Sequence, residues 1–191
     1  MRFAPIPLSQ RTPAQHELIQ FYRQGWRSEL SAEHDVLGGP LEAMTRAPDF
    51  LARLVSGLAD YDRDHSTLPK RLVEFGILIT ARATRSSYEW RMHRPWAERE
   101  GIPADTIDSL QHGEKPHPMK EDEATLFSFL DELLHKQKVS DSTFNAATSM
   151  FGERGVVDIC WLAGLYRAVA LVLVAADANS SEVLWQQGSV E

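Results

Sequence analysis

The chain has 191 residues, 43% of them hydrophobic and 25% charged, which is the composition of an ordinary globular protein with one substantial core. A formal net charge of -7 disfavours a general nucleic-acid binder, because such a protein needs a basic face to neutralise phosphates. The single cysteine, Cys160, excludes a disulfide framework and a cysteine-rich metal site, so we expect one domain, residues 1–191, in a reducing cytoplasm.

The N-terminal part of the chain is predicted to consist of packing helices. The start, MRFAPIPLSQ, contains two prolines and no apolar run, so we expect an irregular arm to Thr12 and no secretory signal. A helix is predicted from Pro13 to about Ser28, since apolar residues recur in it at helical spacing. Those residues are Leu18, Ile19, Tyr22 and Trp26.

A Gly-Gly-Pro break is predicted next, at Gly38 to Pro40, followed by a short helix around Leu41 to Thr45. A further helix from Pro48 is expected to bury Phe50, Leu51, Leu54, Val55 and Leu58. Asp60, Asp62 and Asp64 then resemble the start of a calcium loop. That loop needs Gly at its sixth position and Glu at its twelfth, where this chain has His65 and Arg71, so we expect no calcium site.

The segment from Leu72 to Ala83, LVEFGILITARA, is apolar around nearly the whole helical wheel, which is typical of a helix that is buried on most sides. Glu74 is the one acid in its LVEFGILIT run. Burial of a carboxylate without a partner is costly. We therefore expect Glu74 either to remain solvated near the helix start or to pair with a donor from another element.

A second helix is predicted from Tyr88 to Glu100, with Ser86 or Ser87 as its cap and Gly101 at its end. Glu89 and His93 are four residues apart and share a face, which Trp96 and Glu100 continue. Two structural alternatives remain open. The pattern from Ser86 to Glu89 is also that of a capping box, and His93 could be a satisfied core histidine.

The remaining chain is also predicted to be helical. A short helix from Ala104 to Gln111 and a proline-containing loop, HGEKPHPMK, precede an amphipathic helix from Glu121 to about Lys138. Its apolar side comprises Leu126, Phe129, Leu130, Leu133 and Leu134. Ser140 or Asp141 is expected to cap the next helix, which ends at Gly152. No alternating strand pattern or solenoid repeat is present, so the predicted fold class is all-α.

The run from Val156 to Ala176 is long enough to cross a bilayer, but Arg167 lies near its centre, where a charge is expensive in lipid. We expect a core or interface helix instead, and self-association through it, because it offers more apolar surface than a small domain needs to cover. Cys160 in this run is expected to be buried and inert. Beyond Asp177 the tail is polar apart from Val183, Leu184 and Trp185.

Two further groups of residues have both a functional and a structural interpretation. His112, Glu114 and His117 could ligate a metal, although histidines in proline-rich loops are usually solvated. Several arginines near the Glu89/His93 face could orient an anionic substrate, or could form pairs along the helix such as Arg85 with Glu89. These arginines are Arg82, Arg85, Arg91, Arg94 and Arg99.

The helical Glu74, the segment SSYEWRMHRPWAEREG and the later FGERGVVDICWLAGLYRAVALVL resemble the carboxymuconolactone decarboxylase family, which also contains alkylhydroperoxidase D-type proteins. The likeness extends from about Leu37 to Asp177, so the earlier residues are an N-terminal helical extension. Its most specific part is Tyr88-Glu89-Trp90 followed by His93. The peroxidase branch has a Cys-x-x-Cys pair where this chain has Ser86 and Glu89, so the dithiol chemistry is absent.

This resemblance implies an alkylhydroperoxidase D-like helical fold, assembled as trimers or hexamers, and a cofactor-free decarboxylase that acts on a small carboxylated lactone or a related acid from aromatic catabolism. It implies His93, Glu74 and Glu89 as catalytic residues and no metal. Tyr88, Trp90, Arg85 and Ser86 would bind substrate. The alternatives are a catalytically silent helical oligomer that binds a small molecule or a protein and, more weakly, a peroxidase.

Overall fold

The computed structural model describes residues 2–24, 39–53 and 66–178. Every regular element in these ranges is helical, which confirms the predicted all-α class. The elements are a 3-10 turn Leu8–Gln10, α1 Pro13–Gln24, α2 Gly39–Met44, a helical segment at 48–53, α3 Lys70–Ala83, α4 Ser87–Arg99, α5 Ala104–His112, α6 Glu121–Asp131, a π-helical turn Glu132–Lys136 and α7 Asp141–Ala175. The predictions for Trp26, for the burial of Leu54, Val55 and Leu58, for the three aspartates of residues 60–64 and for the tail at 183–185 lie outside the described residues.

The N-terminal elements form a small apolar cluster of their own. Leu18, Ile19 and Leu51 are buried together, as predicted. The predicted break at Gly38 to Pro40 is wrong for its last two residues, because α2 begins at Gly39; a proline in the first helical turn gives up no intrahelical hydrogen bond. The burial predicted for Phe50 is also wrong, since this side chain is 71% exposed.

Helix α3 lies at the centre of the main core. It packs against α4, α6 and α7, and its residues Leu72, Phe75, Ile77 and Leu78 are almost completely buried. At Gly76 a Cβ atom would lie 2.9 Å from Cδ2 of Leu162 in α7, so the absence of a side chain there allows the two helices to approach closely. The predicted burial of this segment on most sides is therefore confirmed.

Helix α6 joins this core through a buried ion pair. Glu123, in the first turn of α6, is 1% exposed and accepts a hydrogen bond from the guanidinium of Arg71 in α3. It also accepts one from the backbone N–H of Lys120, at 2.8 Å. The predicted helix from Glu121 to Lys138 ends as an α-helix at Asp131 and continues as the π-helical turn.

Helix α7 is two helical pieces joined at Gly152, whose backbone angles, φ 71° and ψ 169°, are not helical. Ser140 is the N-cap and accepts a hydrogen bond from the backbone N–H of Thr143, as predicted. In the second piece Asp158 accepts hydrogen bonds from the N–H and the hydroxyl of Thr67, both at 2.9 Å, and from Arg154 at 2.9 Å. Burial alone would raise the pKa of Asp158, but these hydrogen bonds outweigh burial and lower it. The start of α3 is thereby fastened to α7.

One face of α7 points outward and is mostly apolar. This outer face of α7 comprises Val157, Trp161, Leu171 and Val174, with Trp161 68% exposed, and the exposed Arg167 lies beside Leu171 and Val174. The predicted burial of Cys160 is wrong, because it lies on the exposed side; desolvation of its sulfur nevertheless raises the thiol pKa, which disfavours the reactive thiolate. By length and composition α7 could cross a membrane, and half of its most apolar window is buried in the molecule.

Candidate functional site

A tight turn between α3 and α4 brings the candidate site together. Arg85 adopts a left-handed conformation, φ 52°, and the N–H of Ser86 donates to the carbonyl oxygen of Ala81 at 2.8 Å, so that α4 folds back along α3. Glu74, in the second turn of α3, then faces α4. The sequence predicted each helix within two residues at either end, and the helical hairpin follows from this short connection.

His93 lies between the carboxylates of Glu74 and Glu89. Its Nδ1 is 2.7 Å from Oε2 of Glu74, and its Nε2 is 3.4 Å from Oε2 of Glu89. The three side chains are 3%, 14% and 6% exposed for His93, Glu74 and Glu89. The predicted pairing of Glu74 with a donor from another element is confirmed. We call these three residues the Glu-His-Glu cluster.

The two contacts favour the doubly protonated form of the imidazole, because each ring nitrogen faces a carboxylate oxygen and needs a proton to donate. Burial, the largest single influence, lowers the pKa of His93, but the hydrogen bonds and charges of Glu74 and Glu89 together outweigh it and raise that pKa above its ordinary value. The imidazole of His93 is therefore protonated more readily than that of an ordinary histidine.

This raised pKa predicts how stability depends on pH. A histidine whose pKa is higher in the folded than in the unfolded protein stabilises the fold fully below its unfolded pKa, about 6.5, and loses that contribution as pH rises through its folded pKa. We therefore expect the wild-type advantage in unfolding free energy over His93→Gln to shrink as the pH rises above about 6.5. Urea unfolding of both proteins across this range measures it. An advantage that grows with pH would contradict the assigned direction.

Tyr166 of α7 completes the cluster, and sequence analysis missed it. Its ring meets the imidazole of His93 edge-on, with centroids 5.1 Å apart and planes at 89°. The residue is buried, so it covers His93 from the side of α7. No local spacing could have indicated it, because it lies 73 residues further along the chain, in a run that is apolar on most sides.

The capping-box interpretation of Glu89 is wrong. In that motif the Glu89 side chain would accept from the backbone N–H of Ser86, but this N–H donates to Ala81 and the Glu89 carboxylate faces His93 instead. Ser86 is the N-cap residue without a side-chain cap bond, and its buried Oγ has no hydrogen-bond partner among the described residues. Neither the Glu89 carboxylate nor the Ser86 hydroxyl therefore caps the start of α4.

The other residues predicted to bind substrate have different surroundings. Trp90 is buried within the main hydrophobic core, whereas Tyr88 is half-buried and Arg85 exposed. Trp96 continues the Glu89/His93 face by its helical spacing, as predicted, but it is partly exposed and lies beneath the guanidinium of Arg99. The buried polar face of α4 therefore ends at His93.

The arginines predicted near the site separate into groups. Arg94 bonds Glu98 on its own helix and Asp108 and Gln111 on α5, so it fastens α4 to α5. Arg82 and Arg85 line a cleft on another side of α3.

Within the described ranges no three His, Cys, Asp or Glu side chains are arranged to hold a metal ion. His112, predicted in the loop, is the last residue of α5, and its Nδ1 lies 2.7 Å from the carbonyl oxygen of Asp108.

Comparison with known proteins gives no assignment. No family model matches the chain, and no curated protein matches it either. The resemblance to the carboxymuconolactone decarboxylase family therefore depends on the motif residues alone.

Proposed function

We propose that this protein is a cofactor-free lyase that decarboxylates a small carboxylated lactone or a related acid from aromatic catabolism by proton transfer at His93. The observation that carries the proposal is the Glu-His-Glu cluster, a buried imidazole held between two carboxylates with a raised pKa. Buried acids paired with a histidine are a common way to tune a general acid or base. The motif resemblance supports the same chemistry.

The proposed reaction needs little from the protein beyond positioning and one proton. Cleavage of the carbon–carboxylate bond releases CO2 and leaves its electron pair delocalised into the conjugated lactone carbonyl as an enolate. His93 then donates a proton to carbon and recovers one from water. Nε2–H is the suitable donor, since its contact with Glu89 is long at 3.4 Å, while the 2.7 Å contact with Glu74 holds Nδ1 and fixes the ring.

The charge of the cluster also suits loss of a carboxylate. Two glutamates around one imidazolium leave a formal charge of minus one, so a substrate carboxylate placed beside them is repelled. Departure of neutral CO2 transfers this negative charge to the enolate, and the proton from His93 then neutralises it. The same groups would equally serve a proton-shifting isomerase, which is the nearest variant of the proposal.

A turnover assay tests the proposal directly. The purified protein is incubated with a panel of carboxylated lactones and aromatic-catabolism acids, with EDTA present and no cofactor added, and CO2 release is measured. We expect at least one compound to be decarboxylated well above the rate in buffer. If compounds bind without CO2 release or double-bond migration, the proposal fails and a silent binding protein is favoured.

Self-association is a further part of the proposal, supported by the outer face of α7. Trp161 and its apolar neighbours there are exposed on a single chain, and such surface is usually covered by a partner. We propose a homo-oligomer, a trimer or hexamer by resemblance, and expect light scattering at micromolar concentration to give a multiple of the chain mass. Trp161→Glu should shift the protein towards monomer.

Phe50→Glu is the matched control, because Phe50 is equally apolar and exposed but lies in the helical segment at 48–53 and not on α7. It should leave the oligomer intact. A wild-type monomer, or equal dissociation by both substitutions, would contradict association through α7.

A further inference from the structure

A cleft of about 340 Å³ lies between the end of α3, the end of α5 and α6 with its π-helical turn. Its apolar lining comes from Ile79, Leu110 and Phe127. Arg82 and Arg85 contribute two guanidinium groups. Its volume is at the lower end of the range for small-molecule sites. Glu74, His93 and Glu89 do not line it, so it is distinct from the Glu-His-Glu cluster.

Glycine at position 113 makes room for Arg82. Gly113 is the left-handed C-cap of α5, with φ 78°, and a Cβ atom there would lie 2.5 Å from Nη2 of Arg82. The guanidinium is therefore set directly against the backbone of the Gly113 turn. Arg82 is half-buried and Arg85 exposed, so one arginine lies deeper in the cleft and the other at its mouth.

The two arginines repel each other. Burial lowers the pKa of Arg82, and the positive charge of Arg85 lowers it further. The carboxyl end of α3 favours cations, which explains why two can be held there. A bound anion would stabilise both.

Two acidic residues, Asp131 and Glu114, also line the cleft. The carboxylate of Asp131 lies 3.0 Å from Nδ1 of His135, one helical turn further along. Glu114 is exposed at the rim, just beyond the Gly113 turn. The buried part of the cleft therefore combines the deeper guanidinium of Arg82 with the apolar wall.

We propose that this cleft binds a small organic anion, with a planar carboxylate held by Arg82 and Arg85 and an apolar body against Phe127, Ile79 and Leu110. Guanidinium groups match carboxylate oxygens in a two-pronged geometry, and the aromatic ring of Phe127 suits a flat apolar body. The site is independent of catalysis at His93. The cleft is then a second binding site for a carboxylate, apart from the Glu-His-Glu cluster.

Calorimetric titration with benzoate, benzamide and inorganic phosphate tests this proposal. Benzamide has the shape of benzoate without its charge, and phosphate has charge without an apolar body. We expect benzoate to bind at least about tenfold more tightly than either, the scale of about 1.4 kcal/mol for one charge-assisted contact. Equal affinity for benzoate and benzamide, or for benzoate and phosphate, would overturn the proposal.

Variants locate the binding on the molecule. Arg82→Gln should weaken benzoate binding about tenfold and leave benzamide binding unchanged. Arg85→Gln should have the same effect, and because Arg85 is exposed its substitution carries little risk to folding. Arg91→Gln, an exposed arginine of α4 outside the cleft, is the matched control and should bind as wild type. Unchanged benzoate affinity in both Arg82→Gln and Arg85→Gln would refute the site.

His93→Gln separates this inference from the proposed function. Benzoate should still bind the cleft of this variant with wild-type affinity even if turnover is lost. If His93→Gln abolishes benzoate binding while Arg82→Gln does not, the ligand occupies the Glu-His-Glu cluster, and the second site is wrong.

Discussion

The variant His93→Gln is expected to retain helicity and assembly while its turnover of a decarboxylated lactone falls by about a hundredfold or more, the usual scale for removal of a general acid. Glutamine keeps a side chain of similar polarity between the two glutamates but cannot carry the proton to carbon. Circular dichroism, light scattering and CO2 release on the same preparations measure these quantities. A fully active variant would end the proposal that His93 is catalytic.

The companion variant Glu74→Gln separates orientation from proton donation. It keeps a hydrogen-bonding group at the 2.7 Å contact with Nδ1 but removes the charge that helps to raise the pKa of His93. We expect its activity to decline at neutral pH and to recover towards lower pH, where the imidazole is protonated again. His112→Gln, at an exposed histidine outside the cluster, should behave as wild type in every assay.

A purely structural cluster predicts a different pattern. Activity per folded molecule would then survive in His93→Gln, and only the loss of stability would remain, because two buried carboxylates would have lost their donor. Measurement of both turnover and melting on the same variants therefore distinguishes the two roles.

Replacement of Arg71 by alanine is expected to cost about 3 kcal/mol of unfolding free energy, the scale seen when one partner of a buried ion pair is removed. Glu123 is 1% exposed and would keep the backbone N–H of Lys120 but lose its guanidinium. Urea unfolding measures the loss. The double variant Arg71→Leu with Glu123→Leu should recover most of it, because no uncompensated charge then remains in the core.

Arg94→Ala is the matched control for this loss. Arg94 also bonds two carboxylates, but its partners Glu98 and Asp108 are 42% and 48% exposed. Solvent screens such pairs, so we expect a loss below about 1 kcal/mol. Equal losses for Arg71→Ala and Arg94→Ala would show that the buried position of Glu123 is not what makes its pair important.

The sequence predicts most of the described helices because apolar periodicity and caps are local signals. Gly101, predicted to end α4, has the left-handed angle φ 96° that this position needs. The pairing of Glu74 with His93 could also be predicted, since an acid in an apolar run requires a partner. The helices and their caps depend on residues that are close in sequence, and the Glu74 pair follows from the high cost of burying an unpaired carboxylate.

The failures arise where the deciding contact is distant in sequence. A run as uniformly apolar as that around Cys160 does not indicate which face is covered, so its exposed position could not be predicted. Tyr166 reaches His93 only through the packing of α7 on the hairpin of α3 and α4. Glu89 satisfied a local capping pattern equally well, and the position of His93 decided between the two interpretations.

The break at Gly152 determines how tolerant α7 is to change in sequence. Its angles, φ 71° and ψ 169°, belong to a region that only glycine occupies without strain, so any other residue there costs about 1 to 3 kcal/mol or forces the two pieces out of line. Gly164, in the same helix, has an ordinary φ and open space around it, so alanine there should be neutral or stabilising. A saturation library of α7 should therefore accept alanine at position 164 and only glycine at position 152.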